Sequence, residues 1–115
     1  MASIFDSDDV EVSPAQTAKA LGDGSIQLID VREQHEWDEG RIEGAVHIPL
    51  ADLTGSVSRI DKGRPVVFQC KSGGRSLMAA QAFQASGYEA YSMAGGLEQW
   101  DNLRLPMIPE GATVA

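Results

Sequence analysis

Residues 65–80 read PVVFQCKSGGRSLMAA, and this stretch predicts a strand, a tight loop and the start of a helix. The apolar, β-type run ends at Cys70, which is the only cysteine in the chain. Two cations, Lys71 and Arg75, and two adjacent glycines follow in the loop. Such a junction directs several backbone N–H groups and the positive end of a helix dipole toward one point. We therefore expect the Cys70 sulfur to lie in a strongly polar position.

The position of Cys70 predicts a reactive thiolate. A free thiol with a pKa of about 8.5 is only about 3% ionised at neutral pH. Lowering that pKa by ~2 units takes roughly 2.7 kcal/mol, which the loop amides, Lys71 and Arg75 could supply together. The alternative is an inert, buried thiol, since free cysteine is among the most buried residue types. In that case Lys71 and Arg75 are simply cations of a surface loop.

The composition is that of an ordinary globular protein. The chain has 115 residues, 43% hydrophobic and 23% charged, and we expect one domain spanning 1–115. No apolar run approaches the ~18 residues of a membrane span, so we expect no membrane association. The acidic start, MASIFDSDDVEV, lacks the basic and apolar regions of a secretion signal. A cytoplasmic location, where thiols stay reduced, is the resulting expectation.

Charge and residue types narrow the possible ligands. A net charge of −8 argues against nucleic acid, whose phosphates most of this surface would repel. One cysteine excludes a multi-cysteine zinc site, and His35 and His47 do not have a metal-type spacing, so no metal or other cofactor is expected. A Cys–His catalytic pair stays possible because such partners meet only in the fold. The loop nevertheless offers enough positive potential to hold a thiolate without a base.

Strand-type and helix-type segments alternate along the chain. The predicted strands lie at 10–12, 26–31, 44–49, 65–69 and 88–93. The predicted helical segments begin at the Ser13-Pro14 cap and then cover 35–40, 50–60 (weakened by Thr54-Gly55-Ser56), 74 or 75 to 85, and 94–100. This alternation predicts an α/β fold with a mainly parallel sheet. The segments 1–9 and 107–115 are expected to be loosely ordered tails.

Two further groups of side chains are assigned from their positions. Asp30, Arg32 and Glu33 follow a predicted strand, where groups collect around the ligand crevice of a parallel sheet. We interpret them as a local ion-pair network that holds a loop and assists a site only indirectly. The predicted core includes both tryptophans, two methionines and the apolar face of the helix after the loop: Trp37, Trp100, Met78, Met93, Leu77, Ala80, Ala82 and Phe83.

Four motifs taken together resemble a single-domain rhodanese, a sulfurtransferase family, over about residues 12–106. They are IDVRE at 29–33, EWDEGRIEGAVHIPL at 36–50, CKSGGRS at 70–76 and GGLEQW at 95–100. The chain departs from the family pattern at Arg41, usually histidine, and at His47, often asparagine. These departures lie outside the loop and could alter a partner surface. The resemblance implies a three-layer fold with a mainly parallel five-stranded sheet flanked by helices on both faces.

The resemblance also implies a double-displacement mechanism. Cys70 would take a sulfur from a small anionic donor such as thiosulfate, hold it as a persulfide, and pass it to cyanide or to a thiol or protein acceptor. Arg75 would stabilise the anionic donor and fix the loop, while Asp30 and Arg32 would support it. Substrate-binding roles are implied for the remaining loop residues: Lys71, Ser72, Gly73, Gly74 and Ser76.

Loop length separates sulfur transfer from a related chemistry. Four residues, 71–74, lie between Cys70 and Arg75. The corresponding loop of cysteine-dependent phosphatases is longer and has five residues between its cysteine and arginine. The smaller ring suits one extra sulfur atom better than a tetrahedral phosphate, so a phosphatase is the less favoured alternative. A persulfide carrier or interaction module that works with a dedicated partner is the other alternative. The physiological donor and acceptor, the pathway and the oligomeric state do not follow from the sequence.

Overall fold

The computed structural model describes residues 3–6 and 8–115, and its elements alternate as the sequence predicts. The strands are β1 Glu11–Val12, β2 Gln27–Asp30, β3 Val46–His47, β4 Val66–Gln69 and β5 Ala90–Met93. The α-helices are α1 Pro14–Gly22, α2 Gln34–Glu39, α3 Gly74–Ala85 and α4 Gly96–Asn102. Two short 3-10 helices, Leu50–Asp52 and Thr54–Arg59, occupy the segment whose helical spacing was weak.

The five strands form one parallel sheet in the order β1-β5-β4-β2-β3. All strand carboxyl ends therefore lie at the same edge. Because β4 is the central strand, Cys70 follows it at the middle of that edge. The predicted α/β fold with a parallel five-stranded sheet is confirmed.

Side chains of β4 alternate between two hydrophobic clusters, one on each face of the sheet. Val66 and Phe68 pack in the cluster that contains Phe83 of α3. Val67 packs in the cluster that contains Ala20 of α1 and the α4 residues Leu97 and Trp100. Helices thus cover both faces, which confirms the three-layer arrangement and explains why β4 reads as a continuous apolar run.

The start of α1 has the predicted cap. The Gln16 N–H donates to Ser13 Oγ at 3.0 Å, and the Ser13 N–H donates to Gln16 Oε1 at 2.8 Å. Pro14 occupies the first turn, where its missing N–H removes no intrahelical bond. Among the described residues, no helix is long and apolar enough to cross a bilayer.

The predicted apolar face of α3 is confirmed at Ala80 and Phe83 and is wrong at Met78 and Ala82. Met78 is 63% exposed, Ala82 is exposed and Leu77 is half-buried. The buried stripe instead follows the i, i+3, i+4, i+7 spacing and consists of Ser76, Ala79, Ala80 and Phe83. Met78 lies on the opposite side of the helix from this stripe, and its core assignment is therefore wrong.

The two tryptophans differ in burial. Trp100 is 2% exposed, as predicted, and its indole N–H donates to the Pro106 carbonyl at 2.9 Å. Trp37 is only half-buried, so its core assignment is wrong. Its ring stacks on His47 with centroids 4.8 Å apart, and the Arg41 guanidinium lies 5.2 Å from its centroid. The short helix α2 leaves one side of Trp37 at the surface, where these polar groups cover it.

The chain ends make more contacts than the predicted loose tails. Met107 and Val114 pack against the hydrophobic cluster that contains Ala20 of α1 and Trp100 of α4. Arg41 pairs with Ile108 in an antiparallel bridge. These contacts come from scattered apolar side chains without periodicity, and the loose order expected for 107–115 stays a prediction. Phe5 packs edge-on against Tyr91 at 4.8 Å. Part of the expectation for 1–9, at residues 1, 2 and 7, lies outside the described residues.

Candidate active site

Cys70 lies in a loop that joins the central strand to α3, and the loop amides point toward its sulfur. The Gly73 N–H donates to Cys70 Sγ at 3.1 Å. Gly73 has φ +111°, a left-handed conformation that side chains disfavour, and this turn lets the chain close around the sulfur. The side chain is 1% exposed, so the sulfur lies in the loop below the molecular surface.

The start of α4 orients the loop from the other side. The Leu97 N–H donates to the Cys70 carbonyl at 2.8 Å, and the Glu98 N–H donates to the Lys71 carbonyl at 3.0 Å. Gly96 has φ +60°, and a Cβ there would lie 2.5 Å from the Lys71 carbonyl oxygen. These contacts explain the GGLEQW motif: its glycines allow α4 to bind the loop carbonyls while the loop amides face Sγ.

The pKa of Cys70 is set by opposing effects. Burial raises it, whereas hydrogen bonds from the Ser76 hydroxyl and from the N–H groups of Ser76, Gly73 and Ser72 lower it, and the net pKa lies below its usual value. This direction agrees with the predicted thiolate. The loop amides act as expected, and the Ser76 hydroxyl is a further cause that the sequence analysis did not name.

Ser76 connects the sulfur to the sheet. Its Oγ lies 3.5 Å from Cys70 Sγ, 3.2 Å from the Gly73 carbonyl oxygen and 2.7 Å from Ser92 Oγ. Both serine side chains are fully buried. Sequence reasoning missed Ser92, whose only signal was a serine inside the short apolar strand β5.

Arg75 forms a two-pronged ion pair with a residue that the sequence analysis did not single out. Its two terminal nitrogens donate to the two carboxylate oxygens of Glu36 at 2.7 and 2.9 Å. The hydrogen bond from Arg75 lowers the pKa of Glu36 to about 2, although burial opposes it. The same pair raises the pKa of Arg75. The guanidinium is therefore held by Glu36, and only part of its donor capacity is left for an anionic donor.

Asp30 and Arg32 form a fully buried ion pair behind α2. Arg32 Nη2 lies 2.8 Å from Asp30 Oδ2. The same guanidinium donates to the carbonyls of Glu36 and Gly40 at 3.2 and 2.7 Å. The pair thus holds the second half of helix α2, and this is the turn that carries Glu36. Glu33 contributes through its backbone, since its N–H donates to Glu36 Oε1 at 2.8 Å.

The other predicted residues lie at the rim of the loop or away from it. Lys71 is half-buried, and Ser72 and Gly74 are exposed. The shortest hydrogen bond to Cys70 Sγ comes from the Gly73 N–H at 3.1 Å, and Ser76 Oγ lies at 3.5 Å. His47 instead bonds through Nε2 to the Arg32 carbonyl at 2.7 Å. Its expected participation in a partner surface, together with Arg41, stays a prediction.

The fold and site combine a parallel sheet, a central strand followed by a buried cysteine, and a loop whose amides surround the sulfur. The chain belongs to the rhodanese-like domain family, whose model matches residues 13–103. Its relatives include proteins named sulfurtransferases.

The chain is 34% identical to the putative sulfurtransferase YtwF of Bacillus subtilis (strain 168), over 84% of this chain and 94% of that protein. It is 32% identical to the thiosulfate sulfurtransferase GlpE of Coxiella burnetii, over 78% and 85%. A rhodanese-related protein from Thermoplasma volcanium has a similar solved structure, with a TM-score of 0.79 at 21% identity, covering 85% of this chain and 96% of that one. This structural likeness concerns the fold.

Proposed function

We propose that this protein is a sulfurtransferase that moves a sulfane sulfur from a small anionic donor, such as thiosulfate, to a thiophilic acceptor through a persulfide on Cys70. The observation that carries the proposal is the 3.1 Å hydrogen bond from the Gly73 N–H to Cys70 Sγ, within a loop whose hydrogen bonds lower the Cys70 pKa. A pre-ionised sulfur with donors around it can both attack and be held as an anion.

The reaction consists of two balanced displacements. The Cys70 thiolate attacks the outer sulfur of thiosulfate, a new S–S bond forms, and the original S–S bond breaks with its electron pair leaving on sulfite. An acceptor thiolate, or cyanide in the test tube, then attacks the terminal sulfur and Cys70 leaves again as the thiolate. No general base is needed, because the nucleophile is ionised and each leaving group is a stable anion. Lys71 and Arg75 contribute positive potential for the anionic donor.

Two observations favour sulfur transfer over phosphate-ester hydrolysis. The four-residue spacer between Cys70 and Arg75 makes a small ring, which suits one added sulfur atom. In addition, both terminal nitrogens of Arg75 are bonded to Glu36. A phosphatase would need that planar fork to bind the oxygens of the transferred phosphate.

The test is the state of Cys70 after incubation with thiosulfate. We expect intact-protein mass spectrometry to show one added sulfur atom, and cyanide to release it as thiocyanate. Cys70→Ser, which keeps the side-chain size, should abolish both signals without loss of the folded circular-dichroism spectrum. No adduct and no thiocyanate from the wild-type protein would reject the proposal.

Donor profiling separates the remaining alternatives. Thiosulfate, mercaptopyruvate and glutathione persulfide are compared by the rate of sulfur loading on Cys70. Slow loading by each donor, with fast exchange to or from a co-purifying protein, would replace the enzyme by a persulfide carrier. Cys70-dependent hydrolysis of an aryl phosphate would instead identify a phosphatase.

A further inference from the structure

Ser92 is a polar side chain in a place where the sheet is otherwise packed with apolar groups. It lies on β5 opposite Phe68, is 0% exposed, and faces α3 on the side of the sheet that carries Cys70. Its hydroxyl has Ser76 Oγ as its hydrogen-bond partner at 2.7 Å. A buried hydroxyl with a single protein partner has an unfavourable transfer free energy unless that contact is kept.

The hydrogen bonds of Ser76 depend on the charge of Cys70. A hydroxyl has one proton to donate and two lone pairs that accept. When Cys70 is a thiol, its S–H donates to Ser76 Oγ, and Ser76 can donate to the Gly73 carbonyl. When Cys70 is a thiolate, Ser76 must turn its own proton toward Sγ. Among the described residues, Ser92 is the hydrogen-bond partner of Ser76 that has a proton left to donate, so the lone pairs of Ser76 then accept from Ser92.

We propose that Ser92 is a positioning residue: its hydroxyl donates to Ser76 Oγ and so directs the Ser76 proton onto the Cys70 thiolate. The two hydroxyls form a chain of donors from the sheet to the sulfur, Ser92 to Ser76 to Sγ. Hydrogen bonds in such a chain polarise one another, and the effect is strengthened by the dry surroundings of both serines. The inference rests on the proposed function in one respect, namely that the thiolate is the reacting form.

Charged groups near the sulfur act separately from this chain. The Cys70 charge contributes to the raised pKa of Arg75, but less than Glu36 does. Lys71 is the other cation of the loop, and it carries its charge on a half-buried side chain. Ser92 has no charge of its own, so a change at Ser92 alters donation to Ser76 and leaves the Arg75–Glu36 pair in place.

The test measures how the rate of Cys70 alkylation by iodoacetamide depends on pH, which requires no sulfur transfer. Ser92→Ala should move the midpoint of the profile to higher pH. At pH values below both midpoints its rate should fall about 1.3- to fourfold, the effect of weakening the Ser76–Sγ hydrogen bond by roughly 10–30%. The plateau rate at high pH, where Cys70 is fully ionised, should equal that of the wild type. A merely structural role would change the plateau or the folding transition without moving the midpoint.

A double-mutant cycle gives the decisive control. In a Ser76→Ala background the same Ser92→Ala change should move the midpoint no further, because the chain is already broken. Ser92→Thr restores a hydroxyl and should restore the midpoint, while Ser86→Ala, an exposed serine at the end of α3, should leave it unchanged.

An unchanged midpoint in Ser92→Ala, or an equal shift in the Ser76→Ala background, would overturn the inference. Sulfur loading in wild-type protein is scored independently. Loading with an unchanged Ser92→Ala midpoint rejects only the Ser92 inference, whereas a shifted midpoint without loading rejects only the proposed function.

Discussion

The loop around Cys70 and the turn that carries Glu36 stabilise two opposite charges in different ways. In the loop, the sulfur meets N–H groups from residues that follow it directly in the chain, such as Gly73. In the turn, the Arg75 guanidinium meets a carboxylate that lies 39 residues away in sequence. The charge on the sulfur is stabilised mainly by local hydrogen bonds and the orientation of the guanidinium is set mainly by Glu36, while the Cys70 charge adds a smaller attraction to Arg75. Substitutions in one region should therefore leave the property of the other largely unchanged.

The largest expected effect is a loss of stability when the buried Asp30–Arg32 ion pair, which supports the turn that carries Glu36, is broken. Arg32→Met leaves the fully buried Asp30 carboxylate without its partner, and the free energy of unfolding should fall by about 3–5 kcal/mol. Urea denaturation measures the loss. Asp30→Asn combined with Arg32→Met removes the unpaired charge and should recover part of it. A loss below about 1 kcal/mol in Arg32→Met would show that the pair does not hold the turn.

The next largest effect is expected where α4 contacts the loop around Cys70. Gly96→Ala places a Cβ 2.5 Å from the Lys71 carbonyl oxygen and 2.6 Å from that of Cys70, at a φ of +60°. We expect a loss of about 2–4 kcal/mol and a higher Cys70 pKa, because the displaced carbonyls turn the loop amides away from Sγ. Denaturation and the alkylation profile measure the two effects. Gly55→Ala, where the new Cβ meets no atom within 4 Å, is the matched control and should change neither. An unchanged alkylation profile in Gly96→Ala would mean that α4 does not orient the loop.

A smaller effect concerns the ion pair itself and depends on pH. The pKa of Glu36 falls from 4.5 to about 2 on folding, so the pair stabilises the protein fully above pH 4.5 and loses that contribution as pH falls toward 2. Glu36→Gln should therefore be less stable than the wild type by about 2 kcal/mol at pH 7, and the difference should shrink between pH 4.5 and 2.

Urea denaturation of the wild type and of Glu36→Gln, measured from pH 7 to pH 2, tests this pH dependence of stability. The Cys70 alkylation profile should change little in Glu36→Gln. A difference in stability that stays constant from pH 7 to pH 2 would exclude the pair as its source.

The smallest effect should come from Lys71 at the rim of the loop. Lys71→Gln should slow sulfur loading by thiosulfate about two- to threefold at low ionic strength, and the difference should vanish in high salt. Rapid-quench measurement of persulfide formation tests this. Lys19→Gln makes the same change of net charge on α1, where Lys19 pairs with Asp23. An equal slowing in both variants would show that net charge, and not the position of Lys71, attracts the donor.

Local features of the sequence predicted the fold and the strand, loop and helix start around Cys70. Alternating strand and helix signals indicated the parallel sheet, and the Ser13-Pro14 cap began α1 where expected. The face of α3 was harder to predict, because Met78 and Ala82 are apolar yet point outward. Hydrophobicity alone could not show which side of α3 faces the sheet, because the buried stripe contains Ser76 as well as apolar residues.

The sequence alone predicted a strand that ends at Cys70 and a loop whose amides turn toward the sulfur, because such contacts span only a few bonds of a glycine-containing loop. The central position of that strand became known only from the order of the strands in the sheet. Tertiary structure alone decided that Glu36 holds Arg75 and that Ser92 reaches Ser76. Parallel strands bring their carboxyl ends to one edge from distant parts of the chain. No local spacing records which side chains meet there.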